Sequence, residues 1–128
     1  MRFTEHELTV AVEAVARRLD ATTRAPWSRK KAAERWDGLS KMQRYERLSA
    51  AADLVLPVLA ALPERPTVGS SPAFSAEEYT AAVEQARGSA AGKRERMAVV
   101  VLADLARRGV AAMPVRRDPD AFEVPDHL

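Results

Sequence analysis

Cysteine is absent from this 128-residue chain, and histidine occurs only twice. Without thiols there are no disulfides, no cysteine-based metal sites and no cysteine nucleophile. That excludes a small disulfide-stapled secreted fold and fits a reducing cytoplasm. Long apolar runs are missing too: none approaches the roughly 18 residues that a membrane helix needs, so no membrane partner is expected. The opening Met1-Arg2-Phe3-Thr4-Glu5-His6-Glu7 has neither the basic start nor the apolar stretch of a signal peptide. Charge of one sign is not in excess, with 20 Lys+Arg against 18 Asp+Glu, which argues against a dedicated nucleic-acid binder. Phosphate-cradling glycine loops and the Gly-x-Ser-x-Gly turn of serine hydrolases do not occur.

What is present is a chain rich in helix formers. Alanine occurs 25 times, and 16 Arg stand against 4 Lys, a bias typical of GC-rich bacterial genomes. The length suits one domain that can bury its own core.

Helix starts are written in the local sequence. Thr4 and Glu7 form a capping box, with Phe3 and Leu8 in the positions of a hydrophobic staple, and Leu8, Val12, Val15 and Leu19 continue at helical spacing to about Ala21. Ser28 opens a short helix that Gly38 stops. Ser40 with Gln43 starts a third helix, whose apolar stripe reads Tyr45, Leu48, Ala52, Val55, Leu56 and Leu59. Pro57 falls inside it and predicts a kink or a break before Leu62. Residues 63–72 hold three prolines and read as a linker. Ser75 with Glu78, and Phe74 with Tyr79, repeat the opening arrangement and start a fourth helix running to about Arg87. The fifth helix places Met97, Val101, Leu102 and Leu105 on one face; Gly109 weakens it and Pro114 ends it.

Two stretches correspond. Residues 3–13 align without a gap on residues 74–84, and Leu59-Ala60-Ala61-Leu62-Pro63 resembles Val110-Ala111-Ala112-Met113-Pro114. The expectation is an all-α fold: about five helices in a small bundle, built as two related halves, 3–63 and 74–114, on one core. Residues 1–113 form the domain and 114–128 an extended tail.

Candidate sites are few. Residues 24–47 carry eight basic side chains against three acids, together with Trp27, Trp36 and Tyr45. Basic residues interleaved with aromatics suit phosphates and bases, which makes Arg24, Trp27, Arg29, Lys30, Lys31 and Arg35 candidate binding residues. Trp36-Asp37-Gly38-Leu39-Ser40 followed by Tyr45 resembles the junction between the second and third helices of an HMG box. The Tyr is displaced by two positions, about 200° around the helix, so the likeness ends there. In the tail, Phe122 and Val124 lie two apart among acids and prolines, so an extended chain presents both to one surface.

His6 and His127 read as surface residues, no catalytic, metal or cofactor site is expected, and no nucleophile, base and orienting group assemble. The expected function is a non-catalytic module that binds an unidentified protein or itself as a homodimer, with nucleic-acid binding through residues 24–47 as the alternative.

Overall fold

A computed structural model describes residues 1–22, 34–65, 72–88 and 92–116, and all their regular structure is helical. The long elements are α1 (Glu5–Thr22), α2 (Lys41–Ala61), α3 (Ala76–Arg87) and α4 (Lys93–Ala112). A helical turn at 34–37 closes with the Gly38 N–H donating to the Glu34 carbonyl. The rest of the helix expected from Ser28 lies outside the described residues.

Three of the expected starts are built as the sequence specifies. The hydroxyls of Thr4, Ser40 and Ser75 accept from the backbone N–H of Glu7, Gln43 and Glu78, each at 3.1 Å. Those three side chains return hydrogen bonds from the capping residues' own N–H groups at 2.8 to 3.0 Å. Each box satisfies two donors that a helix start otherwise leaves to water. The second staple closes as an edge-on ring pair, Phe74 to Tyr79, with centroids 5.7 Å apart.

α1 and α3 each pack against both α2 and α4, which also touch each other. The core lies along these contacts, and its positions are in step. Ala51, Val55, Val58, Leu59 and Leu62 are buried in and just after α2; 51 residues later Leu102, Ala106, Gly109, Val110 and Met113 are buried in and after α4. Both helices end in the same way, with the N–H of Leu62 donating to Leu59 and that of Met113 to Val110, at φ near −65°.

Two local expectations change, at Pro57 and on the apolar faces, and Gly109 gains a packing role. α2 is not broken at Pro57: it continues to Ala61, with Pro57 and Asp53 exposed. The Asp53 carbonyl, which loses its intrahelical donor to the ring, therefore faces the solvent side. α4 likewise continues past Gly109, where an added Cβ would stand 3.3 Å from the Ala11 Cβ and 3.4 Å from the Ala11 carbonyl. The glycine lets the backbones of α1 and α4 approach closely. Finally, Tyr45, Met97 and Val101 are not core: they are 68%, 66% and 52% exposed. Met97 lies five residues before the buried Leu102, about 140° away around the helix.

Candidate functional site

Two long-range clamps hold the helix starts. Arg116 donates from Nε and Nη2 to the Glu7 carboxylate at 3.0 and 3.1 Å and from Nη2 to the Arg2 carbonyl at 3.0 Å, with its guanidinium 5.7 Å from the Phe3 ring centre. Arg65 makes the counterpart set: 3.0 and 2.8 Å to Glu78, 2.5 Å to the Ala73 carbonyl, and 5.2 Å to the Phe74 ring. Each Arg stands three residues beyond a buried helix-ending residue, Leu62 or Met113. Planar bidentate pairing with stacking is the contact for which Arg is suited and Lys is not.

Burial acts to raise the Glu7 pKa, but hydrogen bonds from Arg116 and from the Thr4 N–H, with the Arg116 charge, outweigh it and hold the carboxyl below the usual glutamate range. The Arg65 hydrogen bonds do the same for Glu78, helped by the Ser75 N–H. Arg116 belongs to the stretch read as tail from sequence; residues 117–128, with Phe122 and Val124, lie outside the described residues. A cleft of about 450 Å³ lies over this clamp, but its carboxylate and guanidinium are spent on each other.

The basic segment is only partly described. Arg24, Trp27, Arg29, Lys30 and Lys31 lie outside the described residues, while Arg35 is half-buried. Of its neighbours, Arg44 donates to the Asp37 carbonyl at 2.6 Å, and Arg47 reaches the buried Asp20 carboxylate at 3.2 Å, tying α2 to the end of α1. Trp36 is 3% exposed, with the Arg17 guanidinium 5.4 Å from its ring centre. Trp36 cannot stack on a base from there.

The opening between α1 and α2 has a different character. A groove of about 350 Å³ is floored by Leu8, Val12, Leu48, Ala52 and Leu56, with Glu5, Thr9, Tyr45 and Ser49 around it. Its origin is visible in the other half. Counting 71 from α1 and 51 from α2, the places of Leu8, Val12 and Leu48 are taken by Tyr79, Val83 and Val99, all buried. Leu8 and Leu48 are only half-buried. Tyr79 carries a ring where Leu8 carries a short branched chain, and burial pushes the Tyr79 phenol above its usual pKa, so it packs as a neutral group.

A second exposed apolar feature lies on α4, where Met97, Val100 and Val101 are 52% to 66% exposed. The sequence shows valine excess in α4 and an aromatic in α2, but not which ones face outward.

Among the described residues no three His, Asp or Glu side chains stand where they could hold a metal ion, and His6 is exposed. No described helix is long and apolar enough to cross a membrane. No family model matches the chain, and no curated protein and no solved structure matches it.

Proposed function

We propose that this chain is a non-catalytic helical interaction module, of bacterial origin and cytoplasmic, that binds another protein through the groove between α1 and α2. The observation that carries this reading is the groove itself: an apolar floor left open where the other half seats Tyr79. Apolar side chains on a partner helix, spaced three and four residues apart, fit such a floor, and Thr9, Tyr45 and Ser49 supply hydroxyls at the edge. Tyr is also among the residues that contribute most at interfaces.

The module is proposed to have arisen by internal duplication. The matched starts, the matched buried positions and the reciprocal Arg clamps support this, since the end of each half holds the start of the other. The groove is then where the two copies diverged.

A photo-crosslinking amino acid in place of Tyr45, in the full chain expressed in its cell of origin, tests the reading. Protein adducts that disappear when Leu8→Tyr fills the groove are expected. Adducts to nucleic acid, or none, overturn it.

A further inference from the structure

We infer that the partner of the α1/α2 groove is a second copy of this chain, which presents the outer face of its α4. This rests on the interaction reading above and names the occupant.

The stripe on α4 is of the right kind. Val100 and Val101 follow Met97 at three and four residues, on the side of α4 turned away from the buried Ala106 and Gly109. It is preceded by Lys93, Arg94 and Arg96, all exposed, with Glu95 as the acid among them. These cations stand in the first turn, where the helix dipole disfavours positive charge, and the capping residue Gly92 gives no side-chain hydrogen bond. The other three long helices start with capping boxes, two of them with acids in the first turn as well. α4 alone among them lacks a side-chain cap, and it opens with three cations against one acid beside an exposed apolar face, an arrangement that an external, acidic counterpart complements.

The groove supplies one. Glu5 lines it, and Glu46 and Asp53, both exposed, stand three before and four after Ser49 on the same side of α2. Lys41 is the opposing base, one turn before Tyr45. An acid-edged apolar groove and a base-led apolar stripe on one molecule complement each other between copies.

Sedimentation velocity on the full chain, across the micromolar range, tests this with two charge-reversed variants made at exposed positions. Glu5→Arg with Asp53→Arg reverses the groove, and Arg94→Glu with Arg96→Glu reverses the stripe. The unaltered chain is expected to exceed the monomer mass as concentration rises. Each variant alone, helical by circular dichroism, is expected to associate about tenfold or more weakly. Mixing the two restores complexes, because each groove then meets a stripe of opposite charge. An unaltered chain that stays monomeric overturns the inference, as does undiminished association of both variants or a mixture that stays monomeric. If a double variant loses helicity, Ser49→Arg and Val100→Glu replace it: each is expected to weaken association, and no change overturns the inference. A monomeric chain whose Tyr45 crosslinker still captures another protein refutes the second copy and leaves the interaction reading standing. A monomer without adducts refutes both.

Discussion

The two halves of the molecule solve the same packing problem with opposite compromises. Around α1 the clamp is closed and the groove open: Arg116 and Glu7 side chains are 21% and 5% exposed, yet Leu8 leaves the space beside α2 unfilled. Around α3 the groove place is filled by Tyr79, whereas the Arg65–Glu78 clamp is the more exposed, at 41% and 26%. Stability and availability for binding are thus assigned to different places in each half. The half whose apolar groove is open is the one whose start is pinned by the better-buried ion pair.

The largest effect that separates the halves is expected at the helix crossing. Val58 and Gly109 occupy matching positions 51 residues apart, and at Gly109 an added Cβ would meet the Ala11 Cβ at 3.3 Å and the Ala11 carbonyl at 3.4 Å. Gly109→Val forces apart α1 and α4 and is expected to cost about 3 kcal/mol in urea denaturation. An unchanged midpoint would show that α1 yields at Ala11.

Next come the clamps. Arg116→Ala strands a buried carboxylate and is expected to cost about 2 kcal/mol, between the values for exposed and fully buried pairs. Arg65→Ala is expected to cost clearly less, because water replaces the guanidinium at Glu78. Equal losses would erase the difference drawn between the clamps.

The same pair governs an acid dependence. Glu7 has a folded-state pKa below its unfolded one, so its contribution is complete above the ordinary glutamate range and is lost as pH falls through the folded value. Thermal melts from neutrality into acid are expected to show a shallower decline for Arg116→Ala than for the unaltered chain. Parallel declines would assign the acid sensitivity elsewhere, with Glu78 and Asp104, both held low by arginine hydrogen bonds, as the remaining carboxyls.

A smaller change is expected at the staple. Tyr79→Leu makes the second half resemble the first and removes the edge-on contact with Phe74, at about 1 kcal/mol. A loss of several kcal/mol would mean that the Tyr79 position supports more of the core than its counterpart does.

Local chemistry explains what was legible in the sequence. Capping boxes at Thr4, Ser40 and Ser75 involve residues three apart, so helix starts and the all-α class could be read directly. The clamps could not, since Arg116 and Glu7 are 109 residues apart in sequence. A signal was nonetheless present in Pro63-Glu64-Arg65 and Pro114-Val115-Arg116, which share the 51-residue offset. Tyr45, Met97 and Val101 fall on apolar stripes of the sequence yet are exposed, because apolar identity alone does not say which side of a helix faces inward. Pro57 reads as a kink or break and Gly109 as a weak point, but solvent exposure relieves the first and close helix contact employs the second. The groove arises from a difference between halves, Leu8 against Tyr79, whose meaning depends on the packing around each.

The most direct test of the central claim is a comparison of the unaltered chain with Leu8→Tyr by sedimentation velocity, with thermal melts on both. Phe3 stands five residues before this position, as Phe74 stands five before Tyr79, so the substitution fills the groove with the second half's own residue. The account predicts that the unaltered chain associates as concentration rises, while Leu8→Tyr melts at least as high and remains a monomer. A Leu8→Tyr chain that melts normally and associates as strongly as the unaltered one would contradict it.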